Sequence, residues 1–336
     1  MISVLIPTYN CGPWLRESLD SIFAQTHRDL EVVVVDDGST DDTPAVLAGY
    51  AGRLTVVPGR HEGLSAARNL CLAHAHGDLV AFHDADDVAL PDRLAWHLEH
   101  LRTHPEYDTV FANGERMDGA GRVVPPTVAR PAHGRRLTAS DLFVGFPVYF
   151  QGALVPRRAF EAAGRFDSAF PVQPDIEHGY RLLHHCRATF VDRVVFRYRW
   201  HTTNNSRDRL GGREDIARIL DRLAADDPDS VREIGAARLT ARRARHWFRI
   251  AQRRLERGQH VEARAAAARA VALRPLQLRY RLLGWRIPGC VTRGSRAPAG
   301  GRPPAPLPRW RAPRRPRGGP RPPPRVARRV ACRSAR

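Results

Sequence analysis

Short runs of consecutive apolar residues alternate with stretches whose apolar positions recur every three or four residues. ISVLIP (2–7), LEVVVVDD (30–37), RLTVVPG (53–59) and DLVAFHD (78–84) read as strands apolar on both faces. Between them, Trp14, Leu15, Leu19, Ile22 and Phe23 predict a helix near 13–25. A second helix runs from Thr43-Pro44, as N-cap and first turn, to about Tyr50. A third covers GLSAARNLCLAHA (63–75), and a fourth starts at Pro91 and runs to about Thr103. Two-faced apolar strands alternating with helices argue for an α/β fold, a mainly parallel sheet covered on both sides.

The pattern then loosens. TVFANGERMD (109–118) is a strand, Gly119–Gly121 a turn, and TASDLFVG (138–145) is helix-like. Residues 150–167 read as strand, turn and helix, Pro174–Cys186 as a helix, and 188–201 as a strand pair or one long strand. Beyond Arg207 the pattern is helical, with 237–259 and 260–275 forming an antiparallel pair joined at Gly258. From about Ile287 Pro, Gly, Arg and Ala dominate, and disorder is expected. These shifts divide the chain into a domain at 1–206 (halves 1–108 and 109–206), a helical extension at 207–286 and an Arg/Pro-rich tail at 287–336.

The net charge of +19 suggests a nucleic-acid binder until it is located. Glu262 is the last carboxylate, and the twenty arginines after it leave residues 1–262 near neutrality, at −1. The basicity belongs to the end of the chain, so nucleic acid is an unlikely partner. The cysteines at 11, 71, 186, 290 and 332 have no metal-binding spacing, and Cys71 and Cys186 read as reduced core thiols. The chain opens directly on a strand, without a charged leader, and no apolar run approaches the roughly 20 residues of a membrane span. The expectation is a cytoplasmic protein, with the tail and the helical hairpin as a candidate peripheral contact with the inner membrane face.

Two strands end in carboxylates. LVAFHDADD (79–87) carries Asp84, Asp86 and Asp87, and VVVVDDGST (32–40) carries Asp36 and Asp37. Ligands of parallel sheets bind outside the carboxyl ends of the strands. Each carboxylate there would repel a phosphate by up to about 4 kcal/mol at 4 Å and effective dielectric 20. A hard divalent cation reverses that sign and completes its shell with phosphate oxygens. Asp36 and Asp37 have a plainer reading, since DDGST is also good Asx-turn chemistry.

PTYN (7–10), VVVVDDGSTDDT (32–43), GLSAARN (63–69), FHDADD (82–87) and LPDRL (90–94) resemble, in order and spacing, the nucleotide-binding half of inverting family 2 glycosyltransferases. AGRFDSAFPVQPDIEHGYRLL (163–183) and RYRWH (197–201) continue the likeness into an acceptor half. The resemblance implies a GT-A, Rossmann-like mixed sheet and sugar transfer from a nucleoside-diphosphate sugar, with UDP favoured, to a glycan or lipid-linked acceptor. It implies Mn²⁺ or Mg²⁺ on Asp86, with Asp84 reaching the ribose or the metal's water shell and Asp87 in support. Asp36 and Asp37 would meet base and ribose, Pro7 and Thr8 would form the floor beneath the nucleotide, and Arg68 would contact phosphate or sugar. Arg199 and His201 resemble a late basic segment near the diphosphate. Asp175 matches the position of the base, and Glu177 is the fallback; the family commonly has Glu and an aromatic around this Asp, where this chain has Pro174 and Ile176. As the first residues of a helix, Pro174-Asp175 also suit a capping role.

Other readings stay open. Nucleotidyl transfer shares the acids and the sheet, but the chain lacks an early Gly-rich, Lys-containing phosphate loop and has no Lys at all. A catalytically idle relative is a third reading. A binder of anionic polymers or of the inner membrane face, acting through the arginine tail, is a fourth.

Overall fold

The structure, a computed structural model, describes residues 1–125, 135–144 and 149–287. The expected disorder of the tail therefore falls, apart from Ile287, outside the described residues. The first half alternates β1 (Ile2–Thr8), α1 (Gly12–Phe23), β2 (Leu30–Asp36), α2 (Thr43–Ala48), β3 (Thr55–Pro58), α3 (Leu64–Ala73) and β4 (Leu79–Phe82). A two-residue strand β5 (Val88–Ala89), α4 (Arg93–Thr103), β6 (Thr109–Asp118), β7 (Val123–Val124), β8 (Arg135–Leu137) and α5 (Ala139–Val144) follow. A 3-10 turn at Phe150–Gly152 leads into β9 (Ala153–Pro156), α6 (Arg157–Ala163), α7 (Pro174–Leu182) and β10 (Ala188–Trp200). The rest is helical: α8 (Arg209–Asp226), α9 (Pro228–Ile234), α10 (Ala236–Glu256), α11 (His260–Leu273) and α12 (Leu278–Arg286).

The main path of the sheet runs β3-β2-β1-β4-β9-β6-β10-β5. β3, β2, β1 and β4 are parallel, β9 runs antiparallel to both β4 and β6, and β6 is parallel to β10. This is the mixed, mainly parallel sheet flanked by helices that the sequence pattern implied. Successive side chains of a strand face opposite sides. Leu5, Val33 and Val35 accordingly pack with α3 and α6, while Val4, Ile6, Val32 and Val34 pack with α1 and α4.

Three local expectations differ from the structure. β3 is apolar in sequence but largely exposed, because it is the edge of the sheet. Of the two readings of 188–201, the structure takes the single long strand, Ala188–Trp200, with register irregularities between Val191 and Phe196. Asp42, not Thr43, precedes the first turn of α2. α7 stops at Leu182, four residues short of Cys186. Ile219, Leu220, Leu223, Ile234 and Leu239 share the core under the sheet, and α10–α12 close a separate core around Trp247, Ala251 and Tyr280.

Candidate active site

β1 lies between β2 and β4, and Thr8 pairs in register with Asp36. The two acidic strand ends therefore flank β1 on the same end of the sheet, about 10 Å apart at normal strand spacing. Pro7 and Thr8 form the buried floor between them. Asn10, at φ 51°, turns the chain out of β1; its amide donates to Ser39 Oγ at 2.9 Å and its Oδ1 accepts from Thr40 N at 2.8 Å. The Asp41 carboxylate caps Gly12 N at 3.0 Å, so the loops after β1 and β2 brace each other.

Asp36 Oδ1 accepts from Ser39 N at 3.0 Å, the turn contact its sequence context suggested. Asp37 is buried and accepts from Glu62 N at 3.1 Å and Gly63 N at 2.8 Å. Gly59 permits this approach, since a Cβ there would stand 2.7 Å from Asp37 Oδ1. Asp37, Pro58 and Arg60 line one end of a cleft of about 760 Å³ that reaches Arg157 and Phe160. No described contact joins Asp36 or Asp37 directly to Asp84 or Asp86.

After β4, His83 N donates to Leu5 O, and Asp87 N closes a turn on Asp84 O at 3.1 Å. The turn exposes Asp84 and Asp86 in part and buries Asp87. Asp87 Oδ1 accepts from Arg199 N at 2.9 Å, and Oδ2 has no partner among the described residues. Burial pushes the Asp87 carboxyl well above its usual range, and Asp86 and Asp84 add to the rise. Burial also lifts Asp84, to about 7, although Arg68 opposes it; Asp86 and Asp175 push the same way as burial. Asp86 Oδ2 lies 2.8 Å from His201 Nε2, and the His201 ring stacks on Trp14 at 3.9 Å.

The buried Arg68 guanidinium joins the two halves of the site. Its Nη1 donates to Asp175 Oδ1 and its Nη2 stands 3.5 Å from Asp84 Oδ1, while Gln151 Nε2 donates to Asp84 Oδ2. The two carboxylates outweigh burial and keep Arg68 firmly protonated. Asp175 lies in the first turn of α7 but does not cap it: Gln173 holds the N-cap position, with Pro174 first in the helix. Asp215 of α8 fixes the entry, accepting from Val172 N at 2.8 Å and Gln173 N at 3.0 Å. The fallback base, Glu177, is buried and bound to Arg181 at 2.7 Å.

Arg199 is buried as well: Nε donates to Asp86 O at 2.9 Å and Nη2 to Glu17 Oε2 at 2.5 Å. It braces the acidic turn from β10. Sequence reasoning missed Gln151, Glu17, Asp215 and Arg93. Arg93 is buried, donates to Phe82 O at 2.8 Å, and is lowered to about 10 by burial while Asp87 and Asp84 pull it upward. Of these four only Arg93 carried a signal, its place in the LPDRL motif (90–94).

Parallel strand ends presenting aspartates, joined through antiparallel strands to a second acidic element, define the GT-A class of fold. Residues 3–162 match the Glycosyl transferase family 2 profile. An uncharacterized glycosyltransferase of Rickettsia felis is 26% identical over 213 residues, 62% of this chain and 35% of its own length. The putative glycosyltransferase EpsE of Bacillus subtilis is 36% identical over 114 residues, 32% of this chain and 41% of EpsE. The chain thus spans well under half the length of these two curated relatives. Among solved structures, S. aureus TarS 1–349 in complex with UDP-GlcNAc has TM-score 0.60 at 18% identity, over 84% of this chain and 83% of that one. The mannosyltransferase PcManGT from Pyrobaculum calidifontis, in complex with GDP-Man and Mn²⁺, has TM-score 0.55 at 22% identity, with the same coverage.

Proposed function

We propose that this chain is a metal-dependent inverting glycosyltransferase, moving a sugar from a nucleoside-diphosphate sugar to a hydroxyl of a glycan or lipid-linked acceptor on the cytoplasmic side of cell-surface glycan synthesis. One observation carries the reading: a single buried guanidinium, Arg68, ties the donor-side acid Asp84 to the acceptor-side acid Asp175. In this scheme Asp175 takes the acceptor hydroxyl's proton as the oxygen attacks the sugar from the face opposite the diphosphate. Arg68 keeps Asp175 oriented and matches its charge. Pro7, Thr8, Asp36 and Asp37 border the nucleoside.

Among the described residues no three His, Cys, Asp or Glu side chains converge on a metal position. Asp86 and His201, 2.8 Å apart, supply two donors. The Asp86 carboxylate, with Asp84 two residues away, fits Mn²⁺ or Mg²⁺, which one or two carboxylates plus substrate phosphates and water commonly hold. A bound ion would stabilise the leaving diphosphate as a Lewis acid. UDP is favoured as the carrier because TarS, similar in fold, is in complex with UDP-GlcNAc; PcManGT, with GDP-Man, keeps the guanine alternative in view.

Titration calorimetry with UDP-, GDP- and dTDP-sugars, with Mn²⁺ and with EDTA, tests the reading. One donor should bind in a metal-dependent way, and Asp86→Asn should remove the metal dependence. If the folded protein neither binds, hydrolyses nor transfers from any of the three, the proposal fails.

A further inference from the structure

The last described helix, α12, is amphipathic with its apolar stripe facing outward. Leu278, Leu282 and Trp285 are 64%, 44% and 69% exposed, and Leu276, just before the helix, is 94% exposed. The spacing i, i+4, i+7 puts the three helical residues on one face. The opposite face is already satisfied, with Tyr280 buried against Phe248 at 4.8 Å between ring centroids and Ile287 buried in the same core. Arg281 and Arg286 flank the outward stripe at about 70° on either side, given 100° per residue. Arg274, Arg281 and Arg286 are exposed and have no ion pair among the described residues.

Charge decides what covers this face. Residues 236–287 contain fourteen arginines against two carboxylates, Glu256 and Glu262. A second copy of the chain would bring the same excess of positive charge to the contact. Residues 288–336 add fourteen arginines, no carboxylate and few large apolar side chains, so they supply neither opposite charge nor apolar cover. An apolar stripe of Leu and Trp edged by Arg matches the boundary between headgroups and acyl chains of an anionic bilayer. No described helix is long and apolar enough to cross a membrane, so the contact is one that lies on the surface.

We propose that α12 is an interfacial docking surface for anionic lipid. Leu278, Leu282 and Trp285 enter the headgroup boundary, and Arg274, Arg281 and Arg286 meet lipid phosphates. The inference is independent of the donor reading, because vesicle binding is measured without nucleotide.

The test is flotation of the full chain with phosphatidylcholine vesicles and with mixed phosphatidylcholine–phosphatidylglycerol vesicles at about 0.15 M salt. The mixed vesicles should carry the protein and the neutral ones should not. L278S/L282S/W285S, all surface changes, should lower partitioning at least about tenfold with unchanged circular dichroism. Quenching of emission by brominated lipid should disappear in Trp285→Phe. Three outcomes overturn the proposal: wild-type partitioning by the triple variant, which would assign binding to the arginine tail; no binding to either vesicle; and a wild-type dimer that the triple variant dissociates.

Discussion

Replacing Arg68 with methionine removes, among the described residues, the cation that touches both Asp84 and Asp175. At 3.5 Å and an effective dielectric near 20, the Asp84 pair alone is worth about 5 kcal/mol of direct attraction. Much of that offsets the burial of the charges, and breaking one side of a buried pair typically costs about 3–5 kcal/mol. Burial already pushes Asp84 up to about 7 with Arg68 opposing it, so without the guanidinium it should be protonated at neutral pH. Arg68→Met should therefore lower the urea unfolding free energy by about 3 kcal/mol and abolish transfer. Arg68→Lys should restore less than half the stability, because one ammonium cannot fork between two carboxylates. Adding Asp175→Asn to Arg68→Met should regain about 1–2 kcal/mol by removing a stranded charge, without regaining activity. A methionine variant that unfolds at the wild-type midpoint and turns over at the wild-type rate would refute the linkage.

Asp175→Asn should reduce transfer by at least about a hundredfold and leave donor affinity, read by calorimetry, unchanged. His178 is buried between Phe160 and Phe166, its Nε2 on Gly164 O at 2.8 Å, and burial holds its pKa well below the usual histidine range. The unfolded chain then binds the extra proton below about pH 6.5, so this histidine's contribution is complete above that pH and lost below it, at up to about 1.4 kcal/mol per unit. Urea midpoints of wild type and His178→Gln should accordingly converge between pH 7.5 and 5.5, taken as roughly one unit either side of that value; parallel pH profiles would contradict this. Gly114→Ala puts a methyl 2.5–2.8 Å from the ring carbons of the buried Phe196 and should lower stability by about 1–3 kcal/mol, visible as a lower Tm.

The sequence by itself determined the strand–helix alternation of the first half, because two-faced apolar runs such as VVVV (32–35) and the periodic residues of α1 are local signals that only a covered parallel sheet satisfies. It also located the acidic strand ends, since carboxylates directly after a buried strand need a reason to be there. Tertiary structure alone decided the rest. Arg68 meets Asp175 across 107 positions, Arg199 meets Glu17 across 182, and Asp215 of α8 holds the entrance to α7 across 42 or 43. Glu17 and Asp215 are ordinary charged residues in their own segments, and although Arg68, Asp175 and Arg199 lie in motifs, nothing local says which partner each one meets. The pairings arise because burial in the folded chain makes an unpaired charge costly, and that cost exists only once the sheet has brought distant segments together.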